Sequence, residues 1–325
     1  MPESIARSPL QDTPLSMRQR FALVFNARAG VARPRLLDGV LSGVRGAGGR
    51  VFQVAARSAE EAAAQVADIA RTGGADCVIA AGGDGTFRAV ATGAGDTALP
   101  VGFVPLGTGN VLKHEIGLTS RAGELARGLL HNPVVSVRGG RVNGAPFFLM
   151  AGAGFDGRIV AGLNYKTKRM LGRAAYTGPV TQTLARGADT FDVDIDGRAL
   201  TASWVIVTNA AHYGGSFILT RETQLGASQL VAVVVTSSTR RALIGASLAL
   251  GLGRLARPET RPAGMQVLPA TRVKIGFQMP VPGEIDGDDA GLTPFEVTND
   301  GPTVQLIVPP AYVADLTKRH TNHVP

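Results

Sequence analysis

The stretch that decides the fold is Gly82-Gly83-Asp84-Gly85-Thr86, which joins an apolar segment, Cys77 to Ala81, to a segment suited to a helix, Phe87 to Ala91. A strand that ends in glycines and continues as a helix presents free backbone N–H groups and a positive dipole end, which favour a phosphate. Glycine lets the backbone approach phosphate oxygens closely, and Thr86 adds a hydroxyl donor. Asp84 would repel a phosphate unless it holds Mg²⁺ or accepts a proton, and phosphoryl transfer requires both tasks.

Two other polar, glycine-containing motifs follow apolar strand candidates in the same way. Asn26-Ala27-Arg28-Ala29-Gly30 follows Phe21 to Phe25, and Pro105-Leu106-Gly107-Thr108-Gly109-Asn110 follows Val101 to Val104. Strands alternate with helix candidates here, which predicts a parallel sheet covered by helices on both faces. Ligands of such sheets bind at the carboxyl ends of the strands, where all three motifs lie. The sequence therefore predicts a nucleotide-phosphate site at one edge of a parallel sheet.

The chain changes its pattern after Asn132-Pro133. Before this point the helix candidates are long, and Ser58 with Glu61 three positions later forms a capping box at the start of one of them. After it, short β-rich segments from Val134–Val142 to Thr303–Val308 are separated by glycine, proline and Asp-Gly or Asn-Gly turns. This second pattern predicts an antiparallel, sandwich-like domain.

A fourth motif, Glu284-Ile285-Asp286-Gly287-Asp288, completes an ordered set. From about Phe21 to about Pro310, the set resembles the catalytic domain shared by diacylglycerol kinases, sphingosine and ceramide kinases and bacterial lipid kinases. The resemblance implies an α/β domain with a parallel sheet, like that of NAD kinases and diacylglycerol kinases, and a C-terminal antiparallel β-sandwich. Together with the first seventeen residues, which lack an apolar block, and the change of pattern after Pro133, it divides the chain into a disordered lead-in at 1–17, a nucleotide-binding domain at 18–131 and 309–325, and a lipid-substrate domain at 132–308.

The resemblance implies an ATP-dependent lipid kinase of phospholipid biosynthesis. Such an enzyme moves the γ-phosphate of ATP to the hydroxyl of diacylglycerol or a sphingolipid-type acceptor, with Mg²⁺ bridging the phosphates and Asp84 as its ligand. An NAD kinase-like phosphotransferase is an alternative, because the motif around Asp84 also occurs in NAD kinases. A nucleotide-binding protein without kinase activity is another, because Ala89, Val111 and Asp288 stand where the family carries Glu, Asp and Glu.

The resemblance also implies roles for individual residues. Asp288 occupies the position of the family's proposed general base, so either Asp288 or Asp84 accepts the proton. The residues assigned to the nucleotide are the motif positions and two basic residues that neutralise phosphate charge: Asn26, Gly30, Gly82, Gly83, Gly85, Thr86, Gly107, Thr108, Asn110, Lys168 and Arg173.

The segment Gly152-Ala153-Gly154-Phe155-Asp156-Gly157 matches the dinucleotide-binding fingerprint letter for letter. That fingerprint requires an acidic residue about twenty positions later, and none stands between Arg173 and Thr177. The segment instead resembles the G-x-G-F-D segment of lipid kinases, whose Asp faces the acceptor lipid. Asp156 is therefore predicted to hold the lipid head group, and a turn-capping Asp is the alternative.

Composition narrows the choice of partners. The single cysteine, Cys77, excludes an internal disulfide and fits a reducing compartment. A net charge of +8 suits an anionic partner, but with 5% aromatic residues and no recognition motif we expect no nucleic-acid binding. An anionic membrane surface fits better, although a solubilising surface charge explains the same number. Whether the chain forms a homodimer is left open.

The most apolar helix candidate is Ala242 to Gly253. Twelve residues at about 1.5 Å each cover roughly 18 Å, less than the ~30 Å hydrocarbon core of a bilayer. We therefore expect a cytoplasmic protein that associates peripherally with the inner membrane face. The arginines at both ends of the segment are typical of an interfacial helix, and a helix packed on the sandwich is the alternative.

Overall fold

A computed structural model describes residues 17–26, 34–162, 177–187, 189–227 and 229–321 of the 325-residue chain. The helices of these residues are α1 Pro34–Gly46, α2 Ala59–Thr72, α3 Asp84–Ala94, α4 Val111–Glu115, α5 Ala122–His131, α6 Phe155–Ala161, α7 Thr177–Arg186, α8 Arg240–Gly251 and α9 Pro310–Thr321, with short 3₁₀ turns at Arg254–Ala256 and Pro258–Thr260. None of these described helices has the length and apolar character that a bilayer crossing requires. Apart from Met17, the predicted lead-in lies outside the described residues.

The strands of the described residues form three main sheets and one small hairpin. In chain order they are β1 Arg20–Phe25, β2 Arg50–Val54, β3 Cys77–Gly82, β4 Pro100–Pro105, β5 Val134–Arg138, β6 Gly140–Val142, β7 Ala145–Phe147, β8 Met150–Gly154, β9 Phe191–Ile195, β10 Arg198–Ala202, β11 Trp204–Thr208, β12 His212–Tyr213, β13 Phe217–Ile218, β14 Leu230–Val235, β15 Met265–Ala270, β16 Arg272–Ile275, β17 Pro282–Ile285, β18 Asp288–Leu292, β19 Phe295–Thr298 and β20 Thr303–Ile307.

The first sheet has the strand order β2-β1-β3-β4-β20-β5. Strands β1 to β4 are parallel, as the alternation of strands and helices predicted. Successive residues of a strand point to opposite faces, so Ala22 and Val24 pack with α2 and α3 while Phe21 and Leu23 pack with α1 and α5. The central strands β1, β3 and β4 are therefore buried on both faces, and the predicted α/β architecture is confirmed.

The far edge of this sheet differs from the predicted domain division. The sequence placed β5 and β20 in the second domain, but β20 pairs parallel with β4, and β5 pairs antiparallel with β20. Both strands alternate buried and more exposed residues, a pattern typical of the half-buried strands of an antiparallel sheet. The sequence therefore identified both segments as strands of an antiparallel arrangement but not the sheet that they join.

The second domain is a sandwich of two antiparallel sheets, with strand orders β10-β9-β16-β19-β6-β7 and β15-β14-β11-β8-β17-β18. Its core lies between the two inner faces and includes Phe147, Val205, Val234, Val273 and Val297, all buried. Each sheet contributes alternate residues to this core, as expected for stacked sheets. The predicted antiparallel β-sandwich is confirmed.

Helix α4 connects the two domains. Its last residue, Glu115, is buried, and its Oε2 accepts hydrogen bonds from the backbone N of His212 at 3.0 Å and lies 2.8 Å from His212 Nδ1. Its Oε1 accepts a hydrogen bond from the N of Leu225 at 3.3 Å. The carbonyl oxygen of the same Leu225 accepts a hydrogen bond from the hydroxyl of Tyr312 in α9 at 3.0 Å. The chain end predicted to return to the first domain thus also contacts the second.

The structure contains one of the two hydrogen bonds of the predicted capping box. Ser58 Oγ accepts the N–H of Glu61 at 3.1 Å, as an N-cap residue does. The Glu61 carboxylate accepts from the N–H of Arg57 at 2.8 Å instead of from Ser58. The helix therefore begins where the sequence placed it, with the return arm of the box shifted by one residue.

Candidate functional site

The carboxyl ends of the three central strands bring the glycine motifs together. Strand β1 is in register with β3 at Phe25 and Ala81, and β3 is in register with β4 at Gly82 and Pro105. Asn26 follows directly and donates its backbone N–H to the carbonyl of Ala81 at 3.2 Å. The predicted single edge therefore exists, and Asn26 lies on it. Gly30, Lys168 and Arg173 lie outside the described residues.

The two central glycine loops lock onto each other. The carbonyl of Gly82 accepts the N–H groups of Leu106 at 2.8 Å and Gly107 at 3.1 Å. A Cβ on Gly107 would come within 2.7 Å of both the Gly83 Cα and the Asn110 Oδ1. No side chain fits between these loops, so glycine is required here by close approach of the backbones.

Asp84 caps the helix that follows the second loop. Its Oδ2 accepts the N–H of Val111 at 2.9 Å and its Oδ1 accepts the N–H of Leu112 at 3.1 Å. Burial raises the pKa of Asp84 to about 6; these two N–H groups lower it, and the nearby carboxylates of Asp286 and Asp288 raise it. Val111, which lacks the family's carboxylate, thus contributes through its backbone.

Asp288 reaches the same place from the second domain. The turn between β17 and β18 sets its Oδ2 beside the start of α3, where a Cβ on Gly85 would lie only 2.6 Å from it. Arg88, one turn along α3, donates from Nη2 to this oxygen at 3.0 Å and from Nη1 to the carbonyl of Ile285 at 2.7 Å. The two candidate catalytic carboxylates, Asp84 and Asp288, therefore flank one glycine, and Arg88 joins the domains there.

The neighbouring acid, Asp286, is a structural residue. It is buried with a φ of +50°, and its carboxylate accepts the N–H groups of Phe148 at 3.0 Å, Leu149 at 2.8 Å and Met150 at 3.0 Å. Burial raises its pKa, and Arg88 and the three N–H groups oppose that rise. Asp286 therefore fixes the turn that presents Asp288.

The remaining predicted nucleotide residues have unequal access to this edge. Thr86 is buried and its hydroxyl lies behind Gly82, where a Cβ would come within 2.2 Å of the Thr86 Oγ1. Asn110 is buried with a φ of +49°, donates from Nδ2 to the carbonyl of Gly107 at 2.6 Å, and keeps an Oδ1 without a hydrogen-bond partner in the described residues. Thr108 and the glycines Gly83 and Gly85 are half-buried.

Asp156 is the second residue of α6 and forms a buried carboxyl pair that the sequence did not predict. Its Oδ1 accepts the hydroxyl of Tyr213, while its Oδ2 has no hydrogen-bond partner in the described residues. The Oε1 of Glu284, also buried and unpartnered in that part of the chain, faces the same point: a Cβ on Gly152 would lie 2.2 Å from the Asp156 Oδ2 and 2.9 Å from the Glu284 Oε1.

Burial is the largest cause that raises the pKa of each carboxyl in this pair. The pKa of Asp156 rises to about 6, and that of Glu284 rises well above its ordinary value because the Asp156 charge adds to the effect of burial. Two ionised carboxylates at this spacing repel each other, so we expect the pair to share one proton at neutral pH. The other oxygen of Glu284 accepts the N–H of Gly287 at 2.7 Å, which connects the pair to the turn bearing Asp288.

Three functional candidates in these contacts escaped the sequence analysis: Arg88, Glu284 and Tyr213. Glu284 lies in the motif Glu284 to Asp288, but no local pattern shows that its side chain points inward. Arg88 and Tyr213 carry no local signal, because their partners stand 200 and 57 residues away in the chain.

Two family models match the chain, one for each domain. Residues 20–142 match the diacylglycerol kinase catalytic domain, and residues 150–310 match the YegS C-terminal NAD kinase beta sandwich-like domain. The matched segments contain Asp84, Asp288 and the two interlocked loops. The family resemblance identified in the sequence is confirmed.

The sequence identities to individual relatives are low. An uncharacterized protein of Synechocystis sp. is 28% identical over 226 residues, 68% of this chain and 52% of that protein, so the chain spans about half the length of this relative. The diacylglycerol kinase of Bacillus subtilis (strain 168) is 25% identical over 240 residues, 72% of this chain and 78% of that enzyme.

Solved structures share the fold. The crystal structure of a diacylglycerol kinase from Bacillus anthracis str. Sterne has a TM-score of 0.66 and 18% identity, and the superposition covers 91% of this chain and 98% of that chain. Another crystal structure from the same organism reaches a TM-score of 0.74 at 20% identity, over 93% of this chain and 99% of that chain. At this identity the likeness concerns the fold.

The loop contact at Gly107 predicts the effect of one added methyl group. Gly107→Ala should lower the free energy of unfolding by about 1–3 kcal/mol, because the methyl group overlaps the Gly83 backbone and overpacks the junction. Urea unfolding followed by circular dichroism measures this. Gly123→Ala is the matched control, since no heavy atom lies within 4 Å of a Cβ there, and its stability should be unchanged or higher. Equal stabilities of the two variants would contradict the contact.

The buried carboxyl pair predicts a pH-dependent stability. The folded chain binds the Glu284 proton more tightly than the unfolded chain does, so the stabilisation is complete below the unfolded pKa, about 4.3, and is lost as pH rises through the raised folded pKa. Glu284→Gln should therefore raise the free energy of unfolding by about 1–3 kcal/mol at pH 8 and change it little at pH 4.

Urea unfolding at the two pH values measures the difference. Glu259→Gln is the control: Glu259 is exposed, and we expect a change within about 0.5 kcal/mol at both pH values. If Glu284→Gln instead lowers the free energy of unfolding more at pH 8 than at pH 4, relative to the unmodified chain, the prediction is wrong. Glu284 would then be ionised in the folded chain and would stabilise it through its charge.

Proposed function

The chain belongs to the family of the diacylglycerol kinase catalytic domain, and from this premise we propose that it transfers the γ-phosphate of ATP to the hydroxyl of a lipid. One observation carries the proposal. Asp84 of the first domain and Asp288 of the second flank Gly85 at the start of α3. Phosphoryl transfer requires a phosphate site, a carboxylate for the metal and a proton acceptor near one point, and this junction offers residues for each.

The phosphate site of the proposal is the start of α3 and the loop that locks onto it. Helix α3 begins at Asp84 with Gly83 as its N-cap, so the first N–H groups of the helix have no partner within it and its dipole favours an anion. Gly83 and Gly107 keep the backbone accessible to phosphate oxygens, since neither carries a side chain. The ATP phosphates would lie here, with Asn26 at the neighbouring strand end.

The residues at this junction fit Mg²⁺. Magnesium in kinases is held by one or two carboxylates and by substrate phosphates, and retains several waters. Asp84 is half-buried, and each of its oxygens uses one hydrogen bond, which leaves lone pairs for a cation. Asp84 would hold the ion, with Asp288 close by. Bound there, Mg²⁺ supplies neutralisation of the phosphate charge.

Asp288 is the better placed proton acceptor. It comes from the hairpin of β17 and β18, and β17 pairs with β8, whose end leads into Asp156. The acceptor side and the proposed base thus share one sheet, whereas Asp84 is committed to α4 by two N–H groups. Arg88 pairs with the Asp288 carboxylate at 3.0 Å and holds it beside the start of α3.

The alternative without kinase activity rests on three residues that depart from the family pattern. Ala89 is buried in the core of the first domain, so a carboxylate at that position would not be exposed in this chain without repacking. Val111 gives its backbone N–H to Asp84, and Asp288 reaches Gly85 despite its shorter side chain. These contacts favour an active enzyme.

The test of the function is a labelling experiment. We expect the purified protein to transfer label from γ-labelled ATP to a lipid in a total lipid extract, and mass spectrometry of the product identifies the acceptor. Labelled NADP formed from NAD, with no labelled lipid, would instead assign the protein to the NAD kinase class. ATP binding without any product would support the binding protein.

Asp84→Asn tests the junction. Turnover should fall by about 10²–10⁴-fold with ATP still bound, because the neutral amide lacks the charge with which Asp84 would hold the metal. Asp196→Asn is a matched control, since Asp196 likewise accepts two backbone N–H groups, of Thr271 at 2.9 Å and Arg272 at 2.8 Å, in a turn of the sandwich. Similar turnover of the two variants would contradict a catalytic role for Asp84.

The raised pKa of Asp84 predicts the acid limb of the pH profile. The ionised carboxylate is the active form, so kcat/KM should rise as pH increases through about 6 and then level off. Asp156 has a pKa of about 6 as well, and the Asp156→Asn variant separates the two. For Asp156→Asn, kcat/KM should still rise through about pH 6, whatever the maximal rate of this variant. Loss of the limb in Asp156→Asn would assign the limb to Asp156.

A further inference from the structure

Helix α8 buries one face and exposes an apolar stripe on the other. Leu243, Ala246 and Leu250 are buried in the core. Ile244 and Leu248 stand four residues apart on the outer side, with 41% and 60% of their surface exposed, and Leu252 continues the row at 66%. The inner side is thus the packed helix of one interpretation from the sequence, and the outer side is the one that an interfacial helix would use.

Arginines surround this stripe. Residues 240–257 contain Arg240, Arg241, Arg254 and Arg257 and no acidic residue. Arg221 lies close to two of these: a surface depression beside the helix end is lined by Arg221, Arg254 and Arg257 together with the apolar Ile218 and Leu252.

The positive charge of this surface is not compensated within the described residues. None of these five arginines takes part in an ion pair with another described residue. Glu222, next to Arg221 in the chain, forms an ion pair with Arg261 at 2.6 Å. The acid of the neighbouring 3₁₀ turn, Pro258–Thr260, is Glu259. An apolar stripe rimmed by unpaired arginines is complementary to an anionic bilayer, whose head groups attract the arginines while its hydrocarbon accepts the leucines.

We propose that the docking face, formed by Ile244, Leu248, Leu252 and the five arginines, binds the surface of an anionic lipid bilayer. An exposed apolar group of this kind marks an interaction site on a soluble domain, and the surrounding charge selects a lipid surface among possible occupants. The helix lies in the interface with its inner face still packed on the protein.

The docking face is continuous with the proposed acceptor site. Strands β12 and β13 form a hairpin in which Tyr213 is directly opposite Phe217, and Ile218 follows. Tyr213 donates its hydroxyl to Asp156, whereas Ile218 lines the depression with Leu252, and Phe217 is 41% exposed. One short hairpin therefore joins the bilayer contact to the candidate lipid site. This connection rests on the proposed function, whereas binding to a bilayer does not.

Vesicle cosedimentation of the full chain tests the proposal. We expect binding to neutral phosphatidylcholine vesicles to be weak, to increase as phosphatidylglycerol is added, and to decrease with salt. Leu248→Glu should lower the partition coefficient by about tenfold or more. The double variant Arg254→Glu/Arg257→Glu should do the same, since each basic residue near an anionic surface contributes about 1 kcal/mol.

Matched controls separate the face from general surface changes. Leu292→Glu places the same charge on a leucine that is 65% exposed on strand β18, and Arg50→Glu reverses an exposed arginine on β2. Both should bind vesicles like the unmodified chain. Circular dichroism checks the fold of every variant, and if Leu248→Glu is unfolded, the double arginine variant decides the question.

Several outcomes would overturn the proposal. They are normal vesicle binding by the folded docking-face variants, equal loss in the controls, and a change from dimer to monomer in Leu248→Glu, which would make a second copy the occupant. An assay of lipid phosphorylation distinguishes failure of the docking proposal from failure of the proposed function. The docking variants should keep their activity on lipid in detergent micelles and lose it on vesicles, whereas a protein that is not a kinase gives no product in either format.

Discussion

The structure depends on the two hydrogen bonds by which Asp84 caps helix α4. A helix of five residues has little stability of its own, and most of its N–H groups have no partner within it. The carboxylate of Asp84 satisfies two of them and fixes the direction in which α4 leaves the second glycine loop. At the other end, Glu115 accepts N–H groups from His212 and Leu225 of the sandwich. One short helix thus connects the candidate catalytic carboxylate to the second domain.

This arrangement sets a conflict at Asp84. The N–H groups of α4 stabilise the ionised form, whereas burial and the two nearby carboxylates, Asp286 and Asp288, disfavour it, and burial prevails in raising the pKa. The Mg²⁺ proposed beside Asp84 would offset this repulsion. Arg88 limits the same repulsion by pairing with Asp288. A perturbed pKa of this kind is typical of functional sites, which is consistent with the role proposed for Asp84.

The sequence was informative wherever the determining interactions are local. Strand-loop-helix segments, the Ser58 cap and the Asp-Gly turns each follow from neighbours within a few residues, and the carboxyl ends of parallel strands necessarily share one edge. Pairings across long distances could not be predicted. Strand β20 joins β4 about 200 positions away, Arg88 reaches Asp288, and Glu284 points inward toward Asp156. No local pattern records which sheet a half-buried strand completes, or which of two faces a turn residue occupies.

The buried pair of Asp156 and Glu284 illustrates what such a contact implies. Two carboxyl groups beside Gly152 destabilise the folded chain at neutral pH relative to a neutral, hydrogen-bonded pair, because burial opposes their ionisation. Folding alone gives no reason to place them there. Glu284 holds the N–H of Gly287 in the turn that carries Asp288, and Asp156 holds the hydroxyl of Tyr213 in the hairpin that continues to Ile218. The pair therefore ties the turn of the proposed base to the wall of the proposed acceptor site.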